Sequence, residues 1–156
     1  MRLKLYKNEY DRKYLRSKCI EKQFVESKIV AHQLRNALLM GTIRGKNPVG
    51  LASNQMGLNS RVFVAKINNQ WHDFINPRIT DASDELVSYK EGCLSLNPNK
   101  DFRTKRYDWI KVSYENKNGK RVTRKFSGFD AIIIQHEIDH LDGKLCKDGG
   151  INEWME

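Results

Sequence analysis

The stretch His136-Glu137-Ile138-Asp139-His140 interrupts a run otherwise rich in isoleucine, from Ala131 to Leu141. On a helix, residues four apart lie one turn along the same face, so both imidazoles can reach one metal ion. Glu137 then projects near enough to act as base for a metal-bound water. Phe129, Ile132 and Ile133 fall upstream on that side and give the histidines an apolar wall, whereas Ile134, Ile138 and Leu141 point to the adjoining side and read as core. Ser127 and Asp130 have capping-box spacing, and Gly143 stands where a left-handed C-terminal cap is expected. The motif therefore predicts a helix from about Ser127 to Asp142, half buried, with a hydrolytic metal site on one face.

A hydrolytic centre commonly has three protein ligands and one open position. In the extended pattern HExxHxxGxxH the third ligand lies six residues past the second histidine. Gly143 fits that pattern, and Cys146 holds the final place. Cys93, in Glu91-Gly92-Cys93-Leu94-Ser95, is the other candidate, because its glycine and polar neighbours suit a shaped loop better than a core strand. Both remain open on spacing alone. Cys19 has no His or Asp near it in sequence and reads as structural, and the isolated His32 and His72 read as surface or core residues rather than ligands. Three cysteines are an odd number and argue against a disulfide framework.

Elsewhere the pattern alternates between helix and strand. Phe24, Ala31, Leu34 and Leu38 give residues 24–40 a helical period, broken by Gly41, Gly45 and Pro48. Arg61–Lys66 reads as a strand, and Trp71–Ile75 as another ending before Pro77. Trp109–Glu115 and Val122–Phe126 read as a hairpin turning at Asn118-Gly119. Arg103-Thr104-Lys105-Arg106 reads as a solvated loop. The expected fold is α+β, with largely antiparallel sheets around a central C-terminal helix, in a single domain spanning 1–156. No stretch approaches the roughly 18 apolar residues of a membrane helix, and Met1–Lys7 is too charged for a signal peptide, so the expected place is the cytoplasm. The net charge of +9 favours polyanionic partners without specifying one.

Three segments together resemble the peptide deformylase family, in the family's order: Gly50-Leu51-Ala52-Ser53-Asn54-Gln55, Glu91-Gly92-Cys93-Leu94-Ser95, and Gln135-His136-Glu137-Ile138-Asp139-His140-Leu141. The first segment departs from the family at Pro48, where glycine is usual, at Ser53, where alanine is usual, and at Asn54, often proline. The resemblance implies hydrolysis of the N-formyl group from the formyl-methionine of nascent polypeptides, releasing formate. It implies Cys93, His136 and His140 as ligands of one divalent ion, iron(II) physiologically, with zinc, nickel or cobalt also suited to such donors. Glu137 is then the base, and the Gln55 amide with the Leu94 N–H stabilises the oxyanion. Val49, Gly50, Tyr89, Gly92, Phe129, Ile132 and Ile133 match positions that hold the peptide and its methionine side chain. Gly50 and Gly92 would admit a close, strand-like peptide backbone. Gln135 and Asp139 flank the ligands and are candidates to orient them, and Arg103 is a candidate to lie beside the site.

The short end after Gly143 resembles bacteriophage-encoded members, which implies action in a host cytoplasm, and the expected state is a monomer. A long basic C-terminal helix for ribosome docking is not expected in Gly149–Glu156. Weak electrostatic ribosome association through Arg103, Lys105, Arg106, Lys120, Arg121, Arg124 and Lys125 is expected instead. Two other readings compete: a zinc endopeptidase using His136, His140 and Cys146, and a basic metal-stabilised binding protein, which would have no need of Glu137.

Overall fold

The computed structural model describes residues 1–40, 43 and 47–151. Helices α1 (Glu9–Leu15) and α2 (Phe24–Leu39) precede strand β1 (Gly50–Ala52) and a 3-10 turn at Ser53–Met56. Strands β2 (Val62–Ile67), β3 (Gln70–Ala82), β4 (Leu86–Glu91), β5 (Phe102–Tyr107), β6 (Trp109–Glu115) and β7 (Arg121–Ser127) follow, then helix α3 (Gly128–Leu141) and a second 3-10 turn at Cys146–Asp148. All named strand pairs are antiparallel, in a five-stranded sheet of order β1-β2-β3-β6-β7 and a two-stranded sheet β4-β5. The expected α+β class is the observed one.

Strand β2 shows how the layers form. Phe63, Ala65 and Ile67 face α3, packing with Ile133, Ile134 and Ile138, while Val62 and Val64 face α2 and meet Val30, Ala31 and Leu34. The alternation that usually separates core from solvent here separates two cores, so α3 lies against one face of the large sheet and α2 against the other. Phe63 stacks on Phe74 at 4.6 Å between ring centroids, a geometry that adds about 0.5–1.5 kcal/mol beyond simple burial.

Several sequence expectations are corrected. The strand expected to stop before Pro77 runs on to Ala82. Its register slips between Ile75 and Arg78, and Asn76 there has φ 49°. Pro77 sits in this irregularity, where its missing N–H breaks no ladder bond. The β6–β7 hairpin forms as expected, but Asn118-Gly119 is not its two-residue turn. Gly119 alone takes positive φ, and its N–H bonds Asn116 O at 2.9 Å. A tight two-residue turn occurs instead at Asn68-Asn69, both at positive φ, between β2 and β3. Ser127 is the N-cap of α3, yet its hydroxyl makes no capping bond; the Gly128 N–H goes to Asp108 O at 3.3 Å.

The largest correction is Arg103–Arg106. These residues are not a solvated loop but the middle of β5, with Thr104 and Arg106 buried and Arg103 and Lys105 exposed. Arg106, 1% exposed, cannot take part in any electrostatic docking surface. At Gly149–Ile151 the chain returns to β5, where Lys105 N donates to Gly149 O and Ile151 N to Lys105 O. Gly143 closes α3 at φ 75°, and a Cβ there would stand 2.4 Å from Arg16 O, so both conformation and space exclude a side chain. Gly41 and Gly45, taken as helix breakers, and the end of the chain from Asn152 lie outside the described residues. Among the described residues no helix is long and apolar enough to cross a membrane.

Candidate active site

Helix α3 presents His136 and His140 toward the loop that follows β4, and Glu137 toward Gly50 of β1. His136 Nε2 and His140 Nε2 are 3.2 Å apart, and Cys93 Sγ stands 3.4 Å from His140 Nε2. Three donor atoms thus converge within 4.8 Å of one another. Two imidazole nitrogens and a sulfur brought this close suit a shared divalent ion, and this donor set fits zinc, iron, cobalt or nickel. Burial pushes His140 well below the ordinary histidine range, which keeps it neutral with a lone pair to give.

Glu91 fixes the first imidazole. Its Oε1 accepts from His136 Nδ1 at 2.8 Å, so a neutral His136 carries its lone pair on Nε2, toward Cys93 and His140. Arg106 in turn grips Glu91 with two bonds, Nε to Oε2 at 2.7 Å and Nη2 to Oε1 at 2.8 Å, and reaches Asp139 Oδ2 through Nη1 at 2.5 Å. Thr104 also donates to Glu91. Burial alone would raise the Glu91 carboxyl, but hydrogen bonds from Arg106 and His136 hold it down at about 2. Sequence reasoning placed Arg106 in a solvated loop and on a docking surface, and so missed this role. Gln135 proves to brace α3 against β5, donating to Tyr107 O and accepting from Tyr107 N, both at 2.9 Å.

Glu137 is 4% exposed, and burial pushes its carboxyl up to about 7. Its Oε1 would be 2.9 Å from a Cβ built on Gly50, so the space left by that glycine is filled by the carboxylate. Gly92 differs, since a Cβ there would meet only Asp101 Oδ1 at an ordinary 3.5 Å. Gln55 is buried in the 3-10 turn after β1. Its Oε1 accepts from Ala52 N at 3.0 Å, while Nε2 donates to Ser95 Oγ at 3.1 Å and lies 3.9 Å from Cys93 Sγ.

The residues matched to the peptide-holding positions spread more widely. Tyr89 and Phe129 come together with ring centroids 5.9 Å apart, both exposed, and Val49 is exposed just before β1. Ile132 is buried, Ile133 belongs to the core between α3 and the sheet, and Leu94 packs toward the α2 core. Arg103 is exposed on β5 and donates to Ser88. Cys146 forms a second convergent group with Glu91 and His136. Both Glu91 oxygens are already taken by Arg106 and His136, and burial pushes the Cys146 thiol far up. The group containing Cys93 is the better candidate to hold a metal.

The polypeptide deformylase family model matches residues 8–153. The chain belongs to this family. It is a metal-dependent deformylase, a hydrolase acting on the N-formyl-methionine end of polypeptides. The peptide deformylase of Treponema pallidum (strain Nichols) is 42% identical over 139 residues, covering 87% of this chain and 85% of that protein. That of Borreliella burgdorferi is 38% identical over 141 residues, covering 89% and 83%. Among solved structures, a probable peptide deformylase from Synechococcus phage S-SSM7 superposes with TM-score 0.81 at 34% identity, covering 96% of this chain and 99% of that one. The Thermotoga maritima peptide deformylase gives 0.79 at 30% identity, covering 97% of each.

Proposed function

We propose that Cys93, His136 and His140 hold the deformylase's divalent ion, iron(II) in the cell, with Glu137 as general base. The observation that carries this reading is the convergence of three donor atoms beside the buried Glu137 carboxylate, whose Oε1 stands 4.0 Å from His136 Nε2 and whose Oε2 has no hydrogen-bond partner among the described residues. When bound, the ion supplies Lewis acidity and brings the pKa of water from about 15.7 toward about 7. Glu137 takes a proton from the attacking water and later gives it to the departing amine. The water oxygen bonds to the formyl carbon, the C–N bond breaks, and formate and a free N-terminal amine leave. Negative charge that develops on the formyl oxygen meets the Gln55 amide and the Leu94 N–H. The Gln55 side chain is already fixed by Ala52 and Ser95, so it needs no reorganisation as that charge forms. Val49, Gly50 and Gly92 lie beside an extended peptide, and Tyr89, Phe129, Ile132 and Ile133 line the methionine slot.

The direct test is formate release from a formyl-methionyl peptide by anaerobically purified protein of measured metal content, alongside His140→Ala. Loss of metal and turnover together supports the ligand assignment; full activity in the variant removes it. The slot has its own test. An apolar side chain filling it contributes about 1–3 kcal/mol to discrimination, so formyl-Met peptides should exceed formyl-Ala peptides by about 10–200-fold in kcat/KM. Equal values would mean that no such slot exists.

The place of action that fits is the cytoplasm, as a monomer, and similarity to the Synechococcus phage protein supports a phage-encoded origin. Contact with ribosomes would be electrostatic, through exposed Arg121, Arg124 and Lys125 on β7 with Lys120 beside it. Such binding should weaken steeply between 50 and 200 mM salt, in proportion to the phosphates contacted, as about 10³–10⁵-fold for six to ten. Salt-resistant co-sedimentation with ribosomes would contradict it.

A further inference from the structure

We infer that Asn54 is a positioning residue for the metal ligands, its side-chain amide tying the turn that carries Gln55 to the carbonyl of His140. The inference rests on the reading that His140 is a ligand. Asn54 is fully buried, and its Nδ2 donates to His140 O, with a longer contact to Ser17 O at 3.4 Å. Its neighbour Gln55 reaches the other way, to Ser95 Oγ and toward Cys93 Sγ. Two adjacent side chains of one short turn therefore touch both the Cys93 loop and the His140 end of α3.

The two histidines are held by different means. His136 is oriented through its ring, by Glu91 at Nδ1. No group among the described residues reaches His140 Nδ1, so its ring lacks the equivalent brace. The direction of His140 Nε2 then depends on its backbone, in the last turn of α3, where carbonyls have no helical partner. Asn54 supplies one there, Gly143 N adds a bond to the same oxygen at 3.0 Å, and Cys19 N takes Leu141 O at 2.7 Å.

The test uses the cobalt-loaded protein and follows transfer of the ion to a chelator, together with its visible spectrum. Asn54→Ala should release cobalt about 10–100-fold faster, the effect typical of losing a group that orients a ligand, and should shift the spectrum. Asn54→Thr, which keeps a shorter hydroxyl donor, should fall between it and the unaltered protein, and decides the matter if Asn54→Ala does not fold. Asn76→Gly is the control: Asn76 is similarly buried but bonds Lys22 O and Glu115 Oε2. It should lower stability and leave cobalt release unchanged. Unaltered release and spectrum in folded Asn54 variants would overturn the inference. If the unaltered protein fails to retain cobalt at all, the ligand assignment falls and this inference with it.

Discussion

Replacing Glu137 by glutamine is expected to lower kcat by about 10²–10⁴-fold, the usual contribution of a general base, while metal content stays at the unaltered level. The amide has nearly the shape of the carboxylate and still fits the space in front of Gly50. It cannot accept the proton that the attacking water must lose. Stability should not fall with activity, because a buried carboxylate carries a desolvation cost that a neutral amide avoids. Turnover, metal analysis and thermal unfolding on the same preparation separate the outcomes. Lost metal would mean that Glu137 helps build the ligand set. A tenfold drop or less would assign the proton transfer elsewhere. Cys93→Ala and His136→Ala form the contrast, since each should lose metal and turnover together.

The helical part of the site was legible because its signal is local. His136 and His140 are four residues apart, so helix geometry alone joins them. Cys93 lies on a distant loop, and by spacing Cys146 was as good a candidate. Only the family resemblance favoured Cys93 from sequence; the fold brings its sulfur to 3.4 Å from His140 Nε2, while burial pushes the Cys146 thiol up. Fold elements failed for a similar reason. The three residues of β1 and seven of α1 are too few to display a period. Strand β5 is Phe-Arg-Thr-Lys-Arg-Tyr, whose alternation is between exposed and buried polar groups, invisible to any test that equates polarity with solvent. The signal available was Glu91: a carboxylate two residues before the candidate ligand Cys93 in the second motif needs a cation if it is buried, and a basic strand nearby was its natural source.

That cation gives the second large effect. Arg106→Ala is expected to destabilise the fold by about 3–5 kcal/mol, far more than the loss of a surface pair. Arg106 is 1% exposed and Glu91 6%, so truncating the guanidinium leaves a buried carboxylate that has lost both of its bonds from Arg106. The cost comes from the stranded charge more than from the missing attraction. Combining Arg106→Met with Glu91→Gln should therefore recover part of the stability lost in Arg106→Met alone, which a double-mutant cycle in denaturant unfolding would measure. Simple additivity would show that Arg106 acts through packing rather than through Glu91. Metal retention should not recover along with stability. A glutamine at position 91 is a weaker acceptor for His136 Nδ1 than the carboxylate it replaces, so the imidazole is less firmly oriented and less basic. The double variant is thus expected to fold better than Arg106→Met while still holding its ion about 10–100-fold more weakly than the unaltered chain, which separates what this buried network does for the fold from what it does for the site.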